Sequence, residues 1–377
     1  MKTSKKLAGI AISEIRQMNA LAGPDTLNLG IGQLPHATPS AVVEAGKEAF
    51  DSGATRYTAN AGMVELRTAI AESHSLRIGK ETTADQVIIT NGAEGAVWNV
   101  MYTFLDEGDE ILIPEIGFSI YETIGKMQGA TVTTYKLTDD FNLDFDDIAS
   151  KVSPQTKLLI VNNPNNPTGA LYSGDDAQKI AEILEDHSNL YCLSDEIYKD
   201  LYLDGQEVVS PSQFSDKVIV VDGISKRGSA TGLRIGWTIA TKQITAPMVI
   251  ANQYITTCAS SVSQMATLPI IQNSCTDFEE QVRRELAENR DIAYEMLLAI
   301  EGVEVARPSG AFYIFPDISA FGSSKEVAHR LLEKCDVLTI PGMAFGTVGD
   351  TNIRISFAVD KSVLVEGLTR IQNELKK

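Results

Sequence analysis

Residues 217–237 read "KVIVVDGISKRGSATGLRIGW". The run at 218–221 is apolar on both faces of any strand it forms, the pattern of a strand covered on both sides. Five residues later stands Lys226, and Arg234 follows eight residues beyond that, among glycines and small side chains. A lysine is among the costliest side chains to hold near an interior. Either it turns to solvent or it has a chemical task.

The same texture extends in both directions. "QVIIT" is followed by a glycine turn and "EGAVWNVMYTFL", and "DEILIP" by "FSIYETIGKMQG". Then come "ATVTTYKL", "TKLLIVNN", "DDAQKIAEILEDH", "LYCLSD" and, after the quoted stretch, "WTIA". Apolar runs alternating with helical patterns predict an α/β fold, with a large domain built on a mostly parallel sheet flanked by helices. Near residue 275 the texture changes. "DFEEQVRRELAENRDIAYEMLLAI" reads as a long amphipathic helix, "VEVA", "AFYIF", "VLTIP" and "NIRISFA" as short strands, and "KSVLVEGLTRIQNELKK" as a closing helix. This predicts a smaller α+β domain. The expected division is residues 1–44 as an N-terminal segment and part of the small domain, 45–275 as the large domain, and 276–377 as the small C-terminal domain.

Composition narrows the partners. With 32 Lys and Arg against 50 Asp and Glu, the formal net charge is −18. Such a surface repels phosphate backbones, which argues against nucleic acid, and it disfavours anionic membranes. Basic side chains that do converge then stand out as binders of a small anion. The four cysteines are widely spaced and the four histidines scattered, so neither a disulfide framework nor a metal site is expected. No stretch has the 18 apolar residues of a membrane span, and the N-terminus lacks a signal-peptide core, so a cytoplasmic location is expected.

In open α/β sheets, ligands bind beyond the carboxyl ends of the strands. Four strand ends carry distinctive polar groups. "VIIT" runs into "NGAEG", a glycine turn opening a helix whose free N–H groups suit a phosphate. "LLIVNN" runs into "PNNPTG", "LYCLSD" into "EIY", and "VIVVDGIS" into Lys226. Singly, each has an ordinary explanation: a connecting loop, a capping Asp195, a solvated lysine. Together they supply an amine, a carboxylate, an amide, an arginine and a phosphate-binding helix start. A cofactor with an aldehyde, a ring cation and a phosphate, namely pyridoxal phosphate, uses every one of them.

The ordered set GxGQxPxATP, YTxxxGxxxLRxAI, TNGAE, PxxGFxxY, NNPNNPTG, SDEIY, SK-x7-R, SGAFY, PGxAFG and NIRISFA resembles the class I/II aminotransferases, from about residue 28 to about 357. The resemblance implies the aspartate-aminotransferase-like fold, type I of the pyridoxal-phosphate enzymes, with seven strands in the large sheet. It implies a homodimer that moves an amino group between an L-amino acid and a 2-oxo acid by a ping-pong mechanism. Lys226 matches the Schiff-base lysine, Asp195 the partner of the pyridine nitrogen, and Tyr198 and Asn166 the donors to the ring's 3′ oxygen. Arg234, Ser225 and the backbone N–H groups of Ala93 and Glu94 match the phosphate cup. Phe118 matches the ring stacked on the pyridine, and Tyr57 the tyrosine that reaches the neighbouring subunit's phosphate. Arg354 matches the clamp on the substrate α-carboxylate, assisted by Gly32 and Asn166.

Two departures stand out: "GQLP" where many members have a GEPD run, and Gly223 where many have a hydroxyl residue. Some relatives carry a lysine for a distal carboxylate at the position of Glu94, so this chain lacks that route to dicarboxylic substrates. Two other readings compete. One is a pyridoxal-phosphate lyase eliminating from a sulfur amino acid, since a scaffold does not fix its reaction. The other is a non-catalytic sensor domain, which would need a DNA-binding module before residue 28.

Overall fold

In the computed structural model, which describes residues 3–376, the chain forms one large sheet with helices on both faces and a smaller helical layer beside it. A helix at Glu14–Leu21 leads into a short strand, β1 (Leu27–Asn28). The large sheet comprises β2 (Val87–Asn91), β3 (Glu110–Pro114), β4 (Thr131–Tyr135), β5 (Thr156–Asn162), β6 (Tyr191–Asp195), β7 (Val218–Gly223) and β8 (Ile235–Ile239). Their spatial order is β2-β8-β7-β6-β5-β3-β4, with seven strands as expected. All run parallel except β8, which pairs antiparallel with both neighbours.

The doubly apolar runs do what their composition requires. Ile160, Leu193, Ile219 and Val221 pack under the helices Gly92–Phe104, Ile120–Gln128 and Lys242–Thr256. On the opposite face Leu159, Val161, Cys192 and Val220 pack against Val64–Ile78, Gly174–Asp186 and Ser261–Ile271. Alternation along each strand therefore serves two cores at once.

A third core joins the helices Thr276–Leu298, Ser324–Cys335 and Lys361–Leu375 to Met18, Leu29 and Leu34 from the N-terminal segment. Its strands are β9 (Tyr313–Ile314), β10 (Val337–Leu338), β11 (Ile340–Pro341) and β12 (Ile353–Ser356). β10 pairs with β1, and β11-β12-β9 form a small antiparallel sheet. The expected strand "VEVA" reduces to a single bridge, Glu304 to Asp317. The expected boundary at residue 44 falls inside the helix Ser40–Asp51, whose buried Val42 belongs to a core of the large sheet. We propose that the division lies before Ser40. Residues 1, 2 and 377 of the expected spans lie outside the described residues.

Candidate active site

The carboxyl ends of β2, β5, β6 and β7 lie at one edge of the sheet, and the reversed β8 brings its amino end there. Polar residues just past these ends therefore meet by topology. Eleven of the twelve residues singled out from the sequence line one cavity of about 290 Å³: all but Tyr57.

Lys226 sits in a short helical turn, Ile224–Arg227, directly after β7. Its Nζ donates to the carbonyl of Gly32 at 2.5 Å. Burial, reinforced by the nearby Arg354 and Arg234 cations, brings its amine down to about 8. Gly32, expected to meet substrate, is thus engaged by the lysine in this state.

Asp195 ends β6. Leu193, two residues earlier, faces the core under Gly92–Phe104, so alternation turns Asp195 the same way, into the cavity. Its carboxylate accepts from the Tyr121 hydroxyl at 2.7 Å and from the Ile197 N–H at 3.2 Å. Burial nonetheless pushes it up to about 6, against the pull of those hydrogen bonds. Among the described residues no cation lies within ion-pair distance of it. Asn162, its partner across the β5–β6 register, donates to the Asp195 carbonyl and accepts from the Asn166 N–H.

Arg354 on β12 is 2 % exposed. Its Nη1 donates to Asn166 Oδ1 at 2.9 Å and its Nη2 to the Gly30 carbonyl at 2.6 Å, while Nε has no partner. The guanidinium lies over the rings of Tyr313 and Phe345. The Tyr198 and Tyr313 hydroxyls meet at 3.0 Å, and burial holds both phenols above their ordinary range.

At the other end of the cavity, Arg234 has a left-handed backbone and lies over Gly92, at the start of the helix Gly92–Phe104. Gly92 itself has φ of +75°, and a side chain there would strike the guanidinium. A side chain at Gly236 would strike the backbone of Gly92 and Ala93, so only glycine lets β8 pass this close to the helix start. Ser225, Ala93 and Glu94 line the same end. Phe118 forms one wall, edge-on to Tyr121. Tyr57 stands apart, 87 % exposed on the surface.

The sequence reading gave no role to Tyr121, Tyr313 or Asn162. Asn162 ends β5, a strand-end position that could have marked it, whereas Tyr121 and Tyr313 close the motifs PxxGFxxY and SGAFY without a local signal of their contacts. Behind the sheet lies a second charged group. Glu196 follows Asp195 and points to the opposite face, where it accepts from Ser194 and Ser210 and faces Arg77 at 3.8 Å. Lys199 pairs there with Asp222, and burial draws Lys199 down to about 8 and His74 to about 4. The void among these residues is only about 20 Å³ and the groups satisfy one another, so the cluster is internal rather than a ligand site.

The ionised form of Asp195 is costly in the protein without ligand. Its folded value lies above the ordinary 3.8, so the native state holds the proton more tightly than the unfolded chain. Stability then falls as pH rises from about 4 to about 6, and the penalty is complete above that window. Asp195→Asn removes it. Ligand-free Asp195→Asn is expected to gain about 1–3 kcal/mol over the parent at pH 8, with the gain fading towards pH 4. Denaturant titrations at the two pH values check this.

The chain matches the family described as Aminotransferase class I and II over residues 24–371. It is 37% identical to a probable aspartate aminotransferase of Methanocaldococcus jannaschii, over 94% of this chain and 95% of that one. It is also 37% identical to a probable N-acetyl-LL-diaminopimelate aminotransferase of Bacillus subtilis, over 97% and 94%. A Thermus thermophilus aspartate aminotransferase solved with maleate superposes with a TM-score of 0.94, at 31% identity and 99% coverage of both chains.

Proposed function

The chain belongs to the class I and II aminotransferases, and from that premise we propose that the cavity around Lys226 holds pyridoxal phosphate and transfers an amino group between an L-amino acid and a 2-oxo acid. One observation carries the proposal. A buried carboxylate without a cation, Asp195, and a buried guanidinium without an anion, Arg354, line the same cavity as a lysine amine lowered to about 8. Unpaired buried charges are expensive, and a ligand with a ring cation and an α-carboxylate neutralises both. The donor set therefore fits the cofactor and a bound amino acid.

When bound, pyridoxal phosphate supplies an aldehyde that links to amines and a ring that takes up electrons from the substrate's Cα. The residues do the rest. Lys226 at about 8 leaves about one amine in ten neutral at pH 7, against about one in three thousand at its ordinary 10.5. A neutral Nζ would be the amine that links to the aldehyde, and once displaced by substrate it would be placed to hold the Cα proton. Asp195 keeps a proton on the ring nitrogen, and Tyr121 holds that carboxylate in place. Tyr198 and Asn166 Nδ2 donate to the ring's oxygen, since Asn166 Oδ1 is occupied by Arg354. Arg234, Ser225 and the N–H groups of Ala93 and Glu94 bind phosphate, as helix starts do. Arg354 would clamp the α-carboxylate, and Phe118 would lie against the ring.

Mixing cofactor-loaded enzyme with one amino acid tests the reaction. A transaminase stops after one absorbance change, whereas continuous release of ammonia and a keto acid would establish a lyase instead. No observation on the site or its relatives favours the lyase. Among the described residues no helix is long and apolar enough to cross a membrane.

Exposed Tyr57 supports a homodimer in which each copy completes the other's phosphate site. Tyr57→Phe is expected to weaken cofactor binding by about 1–3 kcal/mol, the worth of a charge-assisted hydrogen bond. Equilibrium dialysis of the cofactor measures it. A fully active monomer in sedimentation at assay concentrations would contradict the arrangement.

A further inference from the structure

Beside the cofactor cavity lies a much larger groove of about 1040 Å³. It runs between the helix Glu14–Leu21, the helix Ile120–Gln128 and the helical turns Gly342–Phe345 and Thr347–Thr351. That volume lies at the upper end of pockets that enclose drug-sized ligands, far beyond what the side chain of aspartate fills. The two spaces are continuous: Gly32, Phe118, Tyr121 and Glu94 line both.

Glu94 is the only charged side chain among the described residues that lines both spaces. Its carboxylate has no ion-pair or hydrogen-bond partner among the described residues. The other carboxylates of the groove are engaged: Glu14 with Lys325 at 3.0 Å, Glu122 with Lys126, and Glu115 with the Leu137 N–H. The groove has one cation, Arg16, which likewise has no partner among the described residues. A side chain leaving the cofactor cavity therefore passes an unpaired anion first and can meet an unpaired cation only farther on, in the groove.

We propose that this groove is the side-chain subsite and that the preferred amino donor is a long-chain L-amino acid. Its stem is uncharged or donates hydrogen bonds as it passes Glu94, and its terminal carboxylate pairs with Arg16. A short dicarboxylic donor brings its distal carboxylate against the exposed Glu94 and is disfavoured, because like charges brought together repel. Glu94 and Arg16 are then the residues that set specificity by charge, one excluding and one attracting. The inference rests on the transaminase reading above.

The test uses cofactor-loaded enzyme and the rate of the single absorbance change with each donor. L-2-aminoheptanedioate, its ω-amide, L-aspartate and L-alanine are compared. The seven-carbon diacid is expected to react about 30-fold faster than aspartate at equal low concentration. Its ω-amide, equal in length but uncharged, should be about five- to tenfold slower than the diacid. Arg16→Met should abolish that difference between acid and amide. Glu94→Gln should raise the aspartate rate about tenfold and the seven-carbon rate much less. Aspartate reacting as fast as the diacid would overturn the subsite, as would an acid-to-amide ratio unchanged in Arg16→Met. If no donor, alanine included, changes the absorbance of loaded enzyme, the transaminase reading itself falls, which separates the two failures.

Discussion

Lys226→Ala is expected to lower turnover by about ten-thousand-fold, the upper range for loss of a positioned acid–base group. On the proposed reading the side chain would serve two tasks at one atom, linking to the cofactor's aldehyde and transferring the Cα proton, and alanine can perform neither. Cofactor affinity should survive, because Asp195, Arg234 and the start of the helix Gly92–Phe104 remain. The variant should therefore bind pyridoxal phosphate without the absorbance of a lysine-linked cofactor. In the parent enzyme, borohydride should fix the cofactor to the peptide containing residues 217–237. Label recovered on any other lysine would remove Lys226 from the mechanism. Lys199, also lowered to about 8, is the informative control. It lies behind the sheet, paired with Asp222, and should stay unlabelled.

Arg354→Lys has the second largest expected effect. The variant keeps a positive charge but loses the planar fork. In the structure the fork spans Asn166 and the Gly30 carbonyl, with Nε unpartnered and the guanidinium over the rings of Tyr313 and Phe345. A structural arginine paired with a neighbouring Asp or Glu is ruled out here, because among the described residues no carboxylate lies within ion-pair distance. Breaking a buried charged contact costs about 2–5 kcal/mol, which is about 30-fold to several-thousand-fold in kcat/KM. The loss should be alike for donors with different side chains, because all share the α-carboxylate, and cofactor absorbance should persist. Half-reaction rates on two such donors decide it. Wild-type rates on both, or a loss confined to one, would assign Arg354 another task.

The large sheet was legible because strands covered on both faces must be apolar throughout, as "LLIV" and "VIVV" are. The direction of β8 was not legible. "IGWTI" is as apolar as its parallel neighbours, and only its pairing with β2 and β7 reveals the reversal. The short strands of the smaller layer were read unevenly. β1 has two residues and no alternation to detect, while "VEVA" alternates well yet makes only one bridge. Among site residues, those with a distinctive functional group at a strand end could be found one by one. Tyr121 could not. Its importance lies in a 2.7 Å contact with Asp195, 74 positions away, and nothing in its local pattern reports that distance.

The reversal of β8 has a further consequence. Gly223 and Gly236 face each other across the antiparallel pair, so the chain between them is a closed loop of fixed length. Lys226 and Arg234 both lie on that loop, which acts as a ruler between the amine and the guanidinium. Inserting one residue would either bulge the loop or slip the register of β8 by one, and a slip turns every side chain of the strand to the opposite face. Trp237 and Ile239 would leave the core they fill, and Gly236 would no longer stand where the backbone of Gly92 and Ala93 leaves no room. Along these residues, length is constrained as tightly as identity. On the proposed reading, a slip of β8 that moved Arg234 relative to Lys226 would therefore also disturb the core that Trp237 and Ile239 fill.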